Sequence, residues 1–209
     1  MSYSIIAKGE SRSFPKGDAF LSGATANADV VIYLGADLVP DDSKAAVLVE
    51  LGTESLGTHT GEASGEEGSN VLGFARYRNG SDAPSKLVEL VRQPRTKDSA
   101  IAAAKAVLET AGLTVVVCAD QPGRIIDRLV RPKYNAALRF LDEGLATAKD
   151  MDLTCRLGLG YPDGPIERVE RGGLAHHYDV TQALFDVFGV AAYAPARRAV
   201  VAKQRVTKR

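Results

Sequence analysis

Thr114-Val115-Val116-Val117-Cys118-Ala119-Asp120-Gln121-Pro122-Gly123 is where the chain changes character. Up to Cys118 it is a short β-branched run of strand length. Beyond Pro122 the apolar residues Ile126, Val130, Tyr134, Ala137 and Leu141 recur at intervals of three and four, which is one face of a helix. No strand-like run follows. The reading divides the chain near Asp120–Pro122 into an α/β part, residues 1–120, and an all-helical part, residues 121–209.

Upstream, Tyr3 to Ala7 reads as a short strand. Val30-Val31-Ile32-Tyr33-Leu34 is a continuous apolar run ended by Gly35, the pattern of a parallel strand buried on both faces. Asp41-Asp42-Ser43 looks like a helix start, and a helix is predicted from Ser43 to Leu51, stopped by Gly52. The polar stretch Gly52 to Asn70, with Gly57, Gly61, Gly65 and Gly68, reads as a loop. Val71-Leu72-Gly73-Phe74 and Lys86 to Val91 read as strands. Asp98 to Ala111 is alanine-rich, acidic at its start and followed by Gly112, which predicts a helix. Downstream, Pro132 falls inside the first helix and is expected to kink it. Helices are predicted over Ala148–Leu157, Pro165–Glu170 and Leu174–Phe188, with a last short one near Pro195.

The 209 residues are 45% hydrophobic and 25% charged, the balance of a folded globular chain. No apolar run approaches the roughly 20 residues of a bilayer span, and the N-terminus shows no basic segment followed by a long apolar core. Cys118 and Cys155 form no CxxC pair and read as small buried hydrophobes. These features predict a cytoplasmic protein without a disulfide framework, a metal site or a membrane anchor. Residues 1–90 hold seven basic and thirteen acidic side chains, and residues 91–209 nineteen and thirteen, so a zero net charge hides opposite halves. Arg197, Arg198, Lys203, Arg205, Lys208 and Arg209 make the end basic. With no Trp, zinc spacing or aromatic cluster beside it, this reads as a solvated helix end, and nucleic acid is not expected as a partner. Carboxylate pairs such as Asp41/Asp42 and Glu66/Glu67 read as a helix start and a solvated loop. GxxxxGK[ST], HExxH and GxSxG are all absent.

The second half resembles the C-terminal domain of the 3-hydroxyacyl-CoA dehydrogenase family. The residues that carry this are Pro122-Gly123-Arg124-Ile125-Ile126-Asp127-Arg128-Leu129, Pro132, Asn135-Ala136-Ala137-Leu138-Arg139, Glu143-Gly144 and Asp150-Met151-Asp152. They continue as Arg156-Leu157-Gly158-Leu159-Gly160-Tyr161-Pro162-Asp163-Gly164-Pro165-Ile166-Glu167. Upstream, Lys86-Leu87-Val88-Glu89-Leu90-Val91-Arg92 with Pro94-Arg95-Thr96 is similar to the family's KLVEVVRGPRT, and Ala28-Asp29-Val30-Val31-Ile32 to its ADLVIEA strand. The resemblance implies a degenerate, shortened Rossmann-like α/β domain followed by an all-α domain of the 3-hydroxyacyl-CoA dehydrogenase C-terminal type. In the family, the helical domain makes the dimer interface and one wall of the acyl-CoA cleft.

The departures are as specific as the matches. The family opens with a strand and GxGxxG, whose glycines let a helix N-terminus hold the NAD pyrophosphate. Ile5-Ile6-Ala7-Lys8-Gly9-Glu10-Ser11-Arg12 stands there instead, so no cofactor is expected although the family uses NAD. Gly158 to Gly164 follows a helix and is no nucleotide fingerprint. The family's acid/base histidine, held by the glutamate of KLVE, suits proton relay because its pKa lies near neutrality. That glutamate is Glu89, a vestigial partner, while the histidine's place falls on Ala75 or on Tyr77. The family's substrate-contacting serine falls in Thr53-Glu54-Ser55-Leu56, most simply on Glu54, and the asparagine of its NRL is Asp127. Glu54, Ser55 and Asp127 are therefore the candidate substrate-binding positions. His59 lies in the loop, and His176 and His177 are adjacent, pointing about 100° apart on a helix, which suits packing better than metal binding.

Together these readings predict a 3-hydroxyacyl-CoA dehydrogenase-like protein of acyl-CoA metabolism that is non-catalytic alone. It is expected to form a homodimer through the helical domain and to bind an acyl-CoA or a catalytic partner subunit. The alternatives are an active NAD-dependent enzyme with an atypical site and a pure oligomerisation module.

Overall fold

The structure, a computed structural model, describes residues 1–65 and 67–208. Glu66 and Arg209, read above as part of a solvated loop and of the basic end, lie outside the described residues. Contacts divide the chain into two units: Met1–Arg78 with Ala83–Arg124, and Asn79–Asp82 with Ile125–Arg209.

The first unit is a six-stranded sheet of β1 (Tyr3–Ala7), β2 (Val30–Leu34), β3 (Ala46–Glu50), β4 (Val71–Arg76), β5 (Leu87–Arg92) and β6 (Thr114–Ala119), in the order β1-β2-β3-β4-β5-β6. All neighbours are parallel except the antiparallel pair β4 and β5. Two single-turn helices, α1 (Ala19–Ser22) and α2 (Gly57–Thr60), and one long helix, α3 (Asp98–Thr110), complete it. Every residue of β2 is buried, as a strand covered on both faces requires. One face packs Val30, Ile32, Leu34, Leu48, Leu72 and Phe74 against α3 and against Phe14 and Phe20. The other packs Val31, Tyr33, Val47, Val49 and Val71 under Leu38, Leu51 and Leu56. Helix α3 turns Ala100, Ala103 and Ala104 to the sheet, and residues this small let it lie close.

The helix expected from Ser43 to Leu51 is not formed. Residues 46–50 are β3, threaded between β2 and β4. Ala46, Val47, Leu48 and Val49 are all fully buried in succession. A helix could hide only one face of such a run, whereas a central strand hides both. The apparent helix start is a turn: the Asp41 carboxylate accepts from Ser43 N–H at 2.9 Å. Asn70 then ties it down, its Nδ2 donating to the carbonyls of Asp41 and Lys44, both at 2.9 Å.

The second unit is helical: α4 (Ile126–Asp142), α5 (Ala148–Leu159), α6 (Pro165–Gly172), α7 (Leu174–Phe188), a 3-10 turn at Ala191–Tyr193, and α8 (Arg197–Thr207). Helix α4 runs continuously through Pro132. The Arg156-to-Glu167 motif builds the α5–α6 joint. Gly160 ends α5 in a left-handed conformation at φ 69°. The buried Asp152 carboxylate accepts from Ile166 N–H at 2.8 Å and Glu167 N–H at 3.0 Å, capping α6. Gly164 leaves it room, since a Cβ there would lie 2.2 Å from the Asp152 side chain. Arg156 grips both Glu167 oxygens, at 3.0 and 2.9 Å. Three residues of the basic end are paired within the unit: Arg197 and Arg198 with Asp142, and Lys203 with Asp179. No helix of the described residues is long and apolar enough to cross a membrane.

The core of this unit holds a polar knot. His177 is fully buried. Its Nε2 lies 2.9 Å from Asn135 Oδ1, and its Nδ1 lies 3.3 Å from Arg131 Nη1. Arg131 also bonds Asp127 at 2.7 Å, and Asn135 Nδ2 donates to Ala192 O at 3.0 Å. Burial, reinforced by the Arg131 charge, pushes the His177 pKa down to about 3. The ring is therefore neutral when folded and gains a proton below its ordinary pKa of 6.5 only when unfolded. Stability is full above that value and falls as the pH drops towards 3, at up to about 1.4 kcal/mol per pH unit. Chemical denaturation of the second unit followed from pH 7 to pH 4 should show this slope, and His177→Gln should flatten it.

Candidate functional site

The candidate positions of the first unit lie in the loop after β3 and on β5, and the turn after β6 joins them. Gln121 to Arg124 form a tight turn, with Arg124 N–H donating to Gln121 O at 3.1 Å. Pro122 sits at its second position and Gly123, with φ 69°, at its third, the pairing a type II turn selects. Gly123 N–H donates to Thr53 O at 2.8 Å, so the turn is stitched to the loop after β3. The turn sends the Arg124 side chain inward. Its Nη2 donates to Gly52 O at 2.6 Å, and its Nε stands 3.6 Å from Glu89 Oε2. Both partners are about 95% buried, with side-chain exposures of 4% and 5%.

Glu89, the expected vestige, is therefore paired with a permanent cation. Parallel to this, the β4–β5 register places Ala75 directly opposite Glu89. Of the two positions counted for the missing histidine, Ala75 is the one opposite Glu89, and Tyr77 follows the end of β4. Arg124 is the residue after Pro122-Gly123. The signal was in the sequence as a single arginine between Gly123 and Ile125, but nothing linear connected it to Glu89.

Glu54 folds back on its own loop, accepting from Gly52 N–H at 2.9 Å, and its Oε1 lies 3.4 Å from His59 Nε2. Burial pushes this carboxyl up, but the bonds from the Gly52 and Glu54 N–H groups and from His59 outweigh it and hold it below the usual range. His59 rides on α2, whose start is fixed by Asp120: its carboxylate accepts from Leu56 N–H at 2.7 Å and Gly57 N–H at 2.8 Å. The end of α2 is held by Gln93, which bonds Thr60 Oγ1 at 3.1 Å and Gly61 O at 3.3 Å. Ser55 is half-buried in the same loop, and its carbonyl accepts from Thr58 N–H at 3.2 Å. Asp127 belongs to the second unit, where Arg131 occupies its carboxylate. Cys118 is a free thiol, and burial, with the nearby Glu89 charge adding, raises its pKa to about 11, so it is no nucleophile at neutrality. No group of three metal-ligating side chains forms among the described residues.

A dinucleotide does not fit the first unit. In a dinucleotide-binding sheet of order 3-2-1-4-5-6 the ligand lies where the strand order reverses. Here β1 to β6 follow one another with no reversal. The helix after β1 has four residues, and its start is already capped by the Asp18 carboxylate, which accepts from Phe20 N–H at 3.0 Å. At the ends of β1 and β2 the backbones close up: a Cβ on Gly35 would stand 2.8 Å from Lys8 O. A pyrophosphate needs that space and needs N–H donors there, not a carboxylate.

Known proteins share the fold and the second unit's sequence. Residues 123–209 match the family described as 3-hydroxyacyl-CoA dehydrogenase, C-terminal domain. A probable 3-hydroxyacyl-CoA dehydrogenase of Caenorhabditis elegans is 40% identical over 89 residues, which are 43% of this chain and 29% of that protein. The mitochondrial hydroxyacyl-coenzyme A dehydrogenase of Sus scrofa is 37% identical over 101 residues, 48% of this chain and 31% of its own length. The matched stretches thus span about a third of these relatives. The crystal structure of (S)-3-hydroxybutyryl-CoA dehydrogenase from Ralstonia eutropha superposes with a TM-score of 0.69 at 22% identity, covering 87% of this chain and 66% of that one. The fold is that of a Rossmann-like sheet followed by the helical domain. The likeness to the 3-hydroxyacyl-CoA dehydrogenase family thus rests on residues 123–209, which match its C-terminal domain.

The buried Glu89–Arg124 pair makes a direct test of this geometry. Arg124→Leu leaves a buried carboxylate without its guanidinium and should cost about 3–5 kcal/mol in urea unfolding. Replacing both, as Glu89→Gln with Arg124→Leu, should recover part of that loss.

Proposed function

We propose that this chain is a 3-hydroxyacyl-CoA dehydrogenase-like protein of acyl-CoA metabolism that does not catalyse the reaction alone and serves as an acyl-CoA-binding or partner subunit. The observation that carries this reading is the replacement at Glu89. Where a proton relay needs a titratable ring held by the carboxylate, Ala75 lies opposite and Arg124 takes the charge. Glu54, Ser55 and Asp127 are the proposed acyl-CoA contacts, at positions matching the family's substrate contacts. Both carboxylates have their charge engaged internally, Glu54 by N–H groups and His59 and Asp127 by Arg131, which lowers their repulsion of an anionic thioester.

Homodimerisation through the helical unit is part of the proposal. Leu129, Phe140, Leu145, Leu157 and Leu159 are exposed apolar side chains of that unit. An apolar groove of about 390 Å³, lined by Lys133, Phe140, Leu145, Met151, Leu159 and Tyr161 among others, lies between α4 and α5. Monomers rarely leave such a patch in water.

A second reading, an active enzyme with an atypical site, is favoured by one observation: the His59–Glu54 pair at 3.4 Å is the kind of histidine–carboxylate contact that acid/base chemistry uses. NADH oxidation with acetoacetyl-CoA separates the two. At high protein concentration, beside an active family enzyme as control, the chain should show no turnover. Turnover that is abolished by His59→Gln would establish the second reading instead. Acetoacetyl-CoA should bind in calorimetry without being consumed, and no heat at all would leave only the oligomerisation module. Sedimentation should give a dimer, shifted towards monomer by Phe140→Glu.

A further inference from the structure

The residues between β1 and β2 do more than shorten the domain. Ser11 Oγ donates to Glu50 Oε1 at 2.9 Å, and Ser13 N–H donates to the same oxygen at 2.7 Å. Glu50 is the last residue of β3. At the end of β4, Arg76 N–H donates to Ser13 Oγ and Arg76 Nη1 to Ser13 O, both at 3.2 Å. The same Nη1 pairs with Asp18 at 2.7 Å, and Arg76 Nε bonds Ser85 O. Phe14 follows, 1% exposed, its N–H donating to Ser11 Oγ at 2.9 Å. Its ring stacks on Phe20 at 4.2 Å, meets Phe74 at 5.9 Å and lies under the Arg76 guanidinium at 5.4 Å. Tyr3 completes the stack, its hydroxyl donating to Phe20 O at 2.5 Å.

The carboxyl ends of parallel strands are where such sheets receive ligands. We infer that residues Ser11 to Phe20 are a built-in occupant of that edge: the chain's own serines, Phe14 and Asp18 permanently fill the ends of β3 and β4, so the first unit keeps a nucleotide-binding type of sheet with no nucleotide site. The polar groups such a ligand would use are spent on the segment. The Glu50 carboxylate and the Asp18 carboxylate supply negative charge where a pyrophosphate brings its own. Arg76, which could have met a phosphate, is neutralised by Asp18 with side-chain exposures of 10% and 17%. The segment is no hinged cover, because the contacts that would have to break are specific and at least partly buried.

Hydrogen exchange and NADH titration on the full chain test this. The amides of Ser13, Phe14 and Arg76 should exchange as slowly as those of β3, and NADH at millimolar concentration should give no saturable fluorescence change. Arg76→Gln should speed exchange across residues 11–18 by about tenfold, the factor for one charge-assisted bond, with β3 unaltered and still no NADH binding. Ser11→Ala is the second variant, losing one Glu50 bond and the acceptor of the Phe14 N–H while keeping the aromatic stack and the Arg76–Asp18 pair. Loop-like exchange at Ser13 and Phe14, or saturable NADH binding by the wild type or either variant, would overturn the inference. That failure is distinct from failure of the acyl-CoA reading: a chain that binds NADH but does not oxidise it overturns only the filled edge, and one that binds no acetoacetyl-CoA overturns only the other.

Discussion

Burial of the central strands on both faces is the constraint from which the rest of the first unit follows. β2 and β3 carry no polar side chain that could face water along Val30–Leu34 and Ala46–Val49, so each face of the sheet needs a cover. Helix α3 covers part of one face. In a longer dinucleotide-binding domain further helices would cover the remainder, but only 22 residues separate β1 from β2. Phe14 and Phe20 do that work here, and burying two such rings stabilises by roughly 2–3 kcal/mol each. The backbone that carries them must cross the strand ends, and its serines and Asp18 satisfy the polar groups found there.

The same economy shapes the Glu89 region. A buried carboxylate cannot stand alone. In a proton relay it is held by a titratable partner, whereas here a guanidinium that never loses its proton holds it. The pair keeps the glutamate in place and removes its chemistry. The proposed loss of proton relay rests on this pair as much as on the alanine opposite Glu89.

In the helical unit, the residues that carry the family likeness turn out to be joints. Gly160, Gly164, Asp152, Arg156 and Glu167 lock α5 to α6, and Asn135, Arg131 and His177 lock α4 to α7 and the 3-10 turn. Their spacing makes the domain legible because each polar partner is needed to satisfy a helix end or another buried group.

The sequence by itself determined the alternation of strand and helix, the change of texture after Asp120, the helical domain and the departures at the glycine loop and the histidine. Periodicity and turn chemistry are local, so these could be read along the chain. Residues 43–51 were misread because Asp41-Asp42-Ser43 carries the same local signal in a turn as at a helix start, and only neighbours β2 and β4 on either side made Ala46–Glu50 a strand. That Ala75 faces Glu89 came from strand register. The pairing of Arg124 with Glu89, and of Ser11 and Ser13 with Glu50, was decided by tertiary structure alone, because partners 35 to 39 residues apart meet only when the sheet has set where each backbone runs, whereas Asp127 and Arg131 are an i,i+4 pair on one helix face.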